Sequence, residues 1–264
     1  MIRLDDIDVT FNPGTAIEKR ALRSVSLDVP KGQFVTLIGS NGSGKSTVLN
    51  VIAGMVDPDR GTIAVDDTDV TRWPVYARAR LISRVFQDPK MGTCENLTIL
   101  ENLALARGRA TPRGLRFAID RTLRDEMAER LKPLKLDLEN RLDDKVGLLS
   151  GGQRQAVSLL MATTGHTRVL LLDEHTSALD PKVGEFVVEL TAAIVAALSL
   201  TVIMVTHSMA QALRHGDRTL MLHRGEIVFD ASGTERRAMT VADLLNLFKR
   251  DLGENAAADA LLFG

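Results

Sequence analysis

An α/β fold built on a mainly parallel sheet is what this chain of 264 residues predicts, and three observations predict it. Near-continuous apolar runs, "QFVTLIG" at residues 33–39, "RVLLLDE" at 168–174 and "TVIMV" at 201–205, read as strands buried on both faces. Stretches with helical spacing separate them, and strands alternating with helices make parallel sheets covered on both sides. Between residues 88 and 148 the strand signal disappears and charge density rises, which marks a helical insertion into that core.

The elements follow in order. The opening "IRLDDIDVTF" and "SVSLDV" are β-rich. After the first buried strand, "KSTVLNVIAGM" places Val48, Leu49, Ile52 and Met55 on one helical face. "GTIAVDD" and "ARLISRVFQD" supply two short strands, and "LTILENLALA" and "AIDRTLRDEMAERLKPL" are helical in period. Past Pro181, Val183, Phe186, Val187, Leu190 and Ile194 again keep helical spacing, ahead of the strand at Thr201. "TLMLHRGEIVF" reads as a hairpin turning at Arg224-Gly225. From Thr240 one short helix is expected, with Thr240 and Asp243 as its capping box, and then a weak end too short for a regulatory domain. One domain spans 1–264, with an α/β core at 1–87 and 168–230, a helical subdomain at 88–167, and a C-terminal helix and tail at 231–264.

With 45% apolar and 25% charged residues the chain is ordinary globular material, long enough for a real core. A formal charge of −1 argues against nucleic acid or an acidic membrane surface as the dominant partner, while leaving open a protein partner that sits in the membrane. A single cysteine, Cys94, forms no internal disulfide and suits a reducing compartment. The N-terminus has neither the basic region nor the apolar run of a signal peptide. Phe186 to Val205 carries only Glu189 as a charge and is long enough to span a bilayer, but its switch from helical spacing to a β-branched run predicts a helix feeding a buried strand. A soluble chain is the expectation.

"GSNGSGKST" at residues 39–47 fits G-x-x-x-x-G-K-[ST] between an apolar strand and a helix, the context that this pattern requires. Its glycines, Gly39, Gly42 and Gly44, let successive N–H groups curl around phosphates, with Ser40, Asn41, Ser43 and Thr47 completing the cradle. Lys45 is placed to neutralise the β- and γ-phosphates and Ser46 to hold Mg²⁺. The complementary half is "VLLLDE", where Asp173 offers a carboxylate for the Mg²⁺ shell and Glu174 is placed to orient or deprotonate an attacking water. Together they predict a P-loop nucleotide triphosphatase. A second glycine-rich helix start, "LLSGGQRQAV" at 148–157, raises a question of its own. It could be a second anion site, or Ser150 could simply cap a helix whose glycines ease a tight turn.

The motifs, in this order, resemble the ATP-binding cassette family, the nucleotide-binding subunits of ABC transporters, over roughly residues 3–230. "LLSGGQ" matches that family's signature, placed about twenty residues before the Asp173 strand as the family places it. The resemblance implies an N-terminal antiparallel β subdomain and an inserted α-helical subdomain. It also implies a head-to-tail homodimer in which P-loop and signature lie on opposite sides of each nucleotide. Ser150, Gly151 and Gly152, with Gln153, would then contact the γ-phosphate held by the partner's Lys45. By the same resemblance Gln87 is a glutamine that touches Mg²⁺ or the water and links to the helical lobe, and "SALD", ending at Asp180, crosses the dimer interface. His207 would contact the γ-phosphate, and Phe11, where the family more often has tyrosine, would stack on adenine. His175 stands where most members have proline, and a loop-filling role is expected for it.

What the resemblance implies for function is an ATPase subunit of a bacterial transporter, using ATP and Mg²⁺. It would be cytoplasmic and peripheral on the inner membrane face through an integral membrane permease. The fragment "DEHTSALDP" is similar to a bacterial subgroup serving uptake of tryptophan or tyrosine with lipoprotein solute receptors, so an importer of a small solute such as an amino acid is expected. The alternative is a family member acting in DNA repair or on ribosomes, with no membrane partner. A single cassette, a compact helical lobe and the lack of a basic stripe point away from it. A catalytically inactive binding module is opposed by the presence of Lys45, Asp173, Glu174 and His207.

Overall fold

The computed structural model describes residues 1–109 and 118–252. The chain opens with β1 (Ile2–Phe11), β2 (Lys19–Val29) and β3 (Phe34–Ile38), then α1 (Lys45–Ala53), β4 (Arg60–Val65), β5 (Thr68–Asp69) and α2 (Val75–Arg78). It continues through β6 (Ile82–Val85), α3 (Ile99–Arg107), α4 (Arg121–Leu131), α5 (Gly151–Thr163), β7 (Val169–Asp173) and α6 (Pro181–Leu198). It ends with β8 (Thr201–Val205), α7 (Met209–His215), β9 (Arg218–His223), β10 (Glu226–Ser232), α8 (Gly233–Ala238) and α9 (Val241–Leu252). Two compact units result: residues 1–78 with the chain from Leu200 onward, and residues 79–199. The second unit takes β6, β7 and α6 together with the helical stretch, so the sequence boundaries at 87 and 168 fall inside it.

The first unit contains two sheets. One is antiparallel, in the order β2-β1-β4-β5, and β1 pairs with β2 from Ile2↔Val29 to Phe11↔Lys19. The other runs β10-β9-β3-β8, with β3 parallel to both β8 and β9 and the β9–β10 hairpin antiparallel. Every residue of β3 and of β8 is buried, as their uninterrupted apolar sequences predict. The one polar residue in β3, Thr36, has its hydroxyl 3.0 Å from that of Thr219 and within hydrogen-bond reach of the Arg218 and Ala212 carbonyls, so its burial leaves nothing unsatisfied. The hairpin turns at Arg224 and Gly225, both with positive φ (48° and 85°), the backbone signature of a tight turn matching strand twist.

Helix α1 stops earlier than its apolar spacing predicts. Gly54 takes a left-handed conformation (φ 76°) and its N–H caps the Asn50 and Val51 carbonyls. Val48, Leu49 and Ile52 are buried, but Met55 lies beyond this cap and is 51% exposed. Arg78, wholly buried, donates from its guanidinium to the carbonyls of Val51, Ile52, Thr71 and Trp73, and so fastens α2 to the carbonyl end of α1. Burial lowers its pKa.

At the C-terminal side, Leu244 and Phe248 of α9 bury into a cluster with Ile38, Met209, Ala212 and Met221. The expected capping box is present: the Asp243 amide donates to the Thr240 hydroxyl oxygen, and the Thr240 amide and hydroxyl donate to the Asp243 carboxylate. Those bonds, the hydroxyl first, hold the Asp243 carboxyl below its ordinary pKa. The weak end expected after this helix falls at residues 253–264, outside the described residues.

In the second unit β6 and β7 pair in parallel from Ile82↔Val169 to Val85↔Leu172. The helical insertion is confirmed in kind and trimmed in extent. α4 begins only at Arg121, where Asp120 accepts from the Leu123 amide, and it ends in a 3₁₀ turn at Lys132–Leu134. Leu123, Met127 and Leu131 form its buried stripe. The apolar run from Phe186 to Val205 resolves into the second half of α6, a left-handed residue at Ser199 (φ 49°), and β8. Among the described residues no helix is long and apolar enough to cross a membrane.

Candidate functional site

The sites expected from sequence divide between the two units. In the first unit the parallel pairing of β3 with β8 ends at Leu37↔Val205, which brings the Gly39–Thr47 loop and His207 to the same C-terminal edge of the sheet. Ligands of open α/β sheets bind at this edge. Three glycines of the loop have positive φ: Gly39 at 153°, Gly42 at 74° and Gly44 at 112°. Glycine is obligatory at two of them. A Cβ at Gly39 would lie 2.2 Å from the Leu222 carbonyl oxygen, and one at Gly44 would lie 2.6 Å from that of Ala21.

The loop is also fastened to the β9–β10 turn. The Gly225 amide donates to the Ser43 carbonyl at 2.8 Å, and the Arg23 amide donates to the Gly225 carbonyl at 2.9 Å. Lys45 is buried, and its ammonium donates to the carbonyls of Gly39 (2.8 Å) and Ser40 (3.0 Å). It is thereby held over the loop interior rather than in solvent. At the start of α1 the N-cap is Gly44, which has no side chain to accept from the first helical amides. Ser46 and Asn41 are exposed, Thr47 and Ser40 half-buried. Phe11, at the end of β1, is 37% exposed. His207 is half-buried between β8 and α7, whose start is capped by the Ser208 hydroxyl accepting from the Gln211 amide.

In the second unit the parallel β6–β7 pair aligns Val85 with Leu172, so Gln87 and Glu174 leave the strands at one level. Ser177 links them: the Gln87 amide nitrogen donates to Ser177 Oγ at 3.1 Å, and that hydroxyl donates to the Glu174 carbonyl at 2.9 Å. Glu174 has φ 45°, a left-handed conformation that costs a non-glycine residue about 1–3 kcal/mol. The Asp173 carboxylate accepts from the Arg84 guanidinium at 2.5 Å, both side chains being nearly buried, and Arg84 lies 4.9 Å over the Phe86 ring. His175 is 2% exposed and its Nε2 is 3.1 Å from the Thr191 hydroxyl of α6, so it fills the loop as expected.

The second glycine-rich helix start, at α5, has a full capping box. The Gln153 amide donates to Ser150 Oγ and the Ser150 amide to Gln153 Oε1. Ser150 and Gly151 are exposed, whereas Gly152 is buried, and a Cβ there would lie 2.2 Å from Val183 Cγ1. Asp180 accepts from the Val183 amide as the N-cap of α6. Helix α5 also holds the segment around Gln87: Gln155 donates to the Phe86 carbonyl at 3.3 Å, and Arg154 pairs with Glu95 at 2.5 Å.

Two contributors escaped the sequence reading. Arg84, a cation inside the apolar strand "ISRV", is explained by Asp173 on the neighbouring strand, and a charge at a buried-strand position was the available signal. Ser177, bridging Gln87 and Glu174, carried no signal beyond its place in "SALD".

The chain matches the ABC transporter family model over residues 22–177. It is 42% identical to a tyrosine transport ATP-binding protein of Clostridioides difficile over 249 residues, 94% of this chain and 99% of that protein. It is 34% identical to a spermidine/putrescine import ATP-binding protein of Haemophilus influenzae, over 96% of this chain and 63% of the relative. Among solved structures, it is 30% identical to an ATP-binding cassette in a dimeric post-hydrolysis state bound to ADP and Pi, with a TM-score of 0.76 over 88% of this chain and 98% of that one. The chain belongs to the ABC transporter family, as an ATP-binding subunit with ATPase activity. The expected architecture, a mainly parallel core with an antiparallel N-terminal sheet and inserted helices, is the observed one.

Proposed function

We propose that this chain drives import of a small solute, of the amino-acid class and tyrosine in particular, by ATP-dependent closure of two copies against an integral membrane permease. The observation that carries the cargo class is the 42% identity to a tyrosine transport ATP-binding protein across 99% of its length. A lipoprotein receptor delivering the solute, and attachment to the inner membrane face through the permease, complete the reading.

In this reading each nucleotide is held by the Gly39–Thr47 loop, where the phosphate oxygens replace the Gly39 and Ser40 carbonyls as acceptors for Lys45. Phe11 stacks on adenine through its exposed edge. Glu174, its backbone fixed by the Ser177 contacts, accepts the proton of the attacking water, and His207 donates to the γ-phosphate. Gln87 positions the water and reports its state to α5 through the segment that Gln155 and Arg154 hold. Ser150, Gly151, Gly152 and Gln153 serve the other copy's nucleotide, and Asp180 lies at that interface.

Ser46, Gln87 and Asp173 each carry an oxygen donor of the hard kind that would hold Mg²⁺. When bound, that ion neutralises phosphate charge as the terminal phosphoryl group leaves. Deleting the gene and measuring uptake of labelled tyrosine tests the reading. Uptake should fall to background and return with the wild-type chain but not with Glu174→Gln. Undiminished tyrosine uptake in the deletion would refute the cargo assignment.

A further inference from the structure

We propose that Lys19 is a further nucleotide-binding residue, one that grips the phosphate chain from the β1–β2 side of the loop. It rests on the reading that residues 39–47 hold the nucleotide.

Three features converge on this lysine. Its ammonium lies 3.4 Å from where a Cβ would project at Gly42, so the charge hangs directly over the glycine turn that faces the phosphates. It is the cross-strand partner of Phe11 in the β1–β2 ladder, and directly paired residues share a face of the sheet. The aromatic expected to carry the base and the cation over the loop therefore stand side by side. Finally, the strand that carries it is locked to the loop. The Ala21 carbonyl and the Leu22 side chain pack against Gly44, and the Arg23 amide is bonded to the turn that also holds Ser43.

The charge there is not spoken for by structure. Neighbouring Arg20 is paired with Asp8 at 2.8 Å, and Glu18 accepts from the Gly14 amide. Among the described residues no hydrogen bond or ion pair engages the Lys19 ammonium. A lysine rests on a strongly hydrated point charge that needs no fixed fork geometry, which suits a phosphate oxygen whose position varies between ATP and ADP. An exposed side chain with no partner contributes little to folding, so its substitution separates binding from stability.

The test is the affinity of the purified chain for ATP, ADP and adenosine, read beside turnover and thermal unfolding. Lys19→Met should weaken ATP and ADP binding by about 5- to 10-fold, leave adenosine binding and kcat at saturating ATP within about 2-fold, and leave the unfolding midpoint in place. Lys19→Arg should restore most of the affinity. Unchanged ATP and ADP affinity in Lys19→Met would overturn the inference, as would an equal loss for adenosine, which would place the contact on the base or sugar. Lys45→Ala serves as the reference: if it too leaves ATP binding intact, the reading of the loop itself fails, whereas its loss beside an unaffected Lys19→Met condemns only the lysine.

Discussion

The chain builds two helix starts from similar residues, and they are finished in opposite ways. At α1 the cap is a glycine with φ 112° that offers no acceptor, the loop before it is kinked by positive-φ glycines, and a buried lysine is held over it by two carbonyls. At α5 the cap is a serine whose hydroxyl is engaged by its own helix, and Gln153 returns the bond. The first has no side-chain cap and brings its own cation. The second satisfies itself and presents an exposed serine–glycine corner with no cation in its capping box. A helix N-terminus is a general anion site. What decides how each one is used is whether its donors are already committed and whether a positive charge stands with it.

The largest effect should come from removing that asymmetry. Lys45→Ala is expected to lower kcat/KM for ATP by about 100-fold or more, with ATP binding weakened in the isolated chain. On the proposal that the corner serves another copy's nucleotide, Ser150→Arg should abolish turnover to a similar degree yet leave ATP binding to the isolated chain within about 2-fold. Titration with a fluorescent ATP analogue beside a phosphate-release assay distinguishes the two. Equal loss of binding in both variants would break the comparison.

The glycines sharpen it. Gly152→Ala pushes a Cβ to within 2.2 Å of Val183 Cγ1 and should cost about 1–3 kcal/mol of stability, visible as a lowered unfolding midpoint. Adding Val183→Ala should recover most of it. Gly151→Ala meets only the Leu179 side chain, at 3.2 Å, and should be milder. A Gly152→Ala variant as stable as wild type would mean this glycine is not there for packing.

A smaller effect concerns Asp173. Arg84→Met leaves a nearly buried carboxylate without its cation and is expected to cost about 1–3 kcal/mol, most of which Asp173→Asn should return in the double variant. Additive losses would show that the pair is not coupled.

Much of this was legible in the sequence because local pattern and tertiary demand agree. "FVTLI" and "TVIMV" are buried on every residue, as uninterrupted apolar runs predict for central strands, and the 39–47 loop needs its glycines where they stand. The hairpin at Arg224-Gly225 and the Thr240–Asp243 cap were equally plain, since both depend on chemistry a few residues long. Contacts between distant residues were not legible. Nothing local says that Arg84 finds Asp173, that Gly152 is small for the sake of Val183, or that Lys19 reaches Gly42. Nor does apolar spacing reveal that Gly54 ends α1 before Met55, because a left-handed cap and a helical glycine look alike in sequence.

The central claim is that the two helix starts are halves of one shared site, each nucleotide gripped by the lysine loop of one copy and the serine–glycine corner of the other. Light scattering of the Glu174→Gln chain with ATP and Mg²⁺ tests it most directly. The mass should double on adding nucleotide and fall back to that of a single chain when Ser150→Arg is introduced as well. A Glu174→Gln chain that stays single with saturating ATP bound, or a doubled mass indifferent to Ser150→Arg, would contradict it.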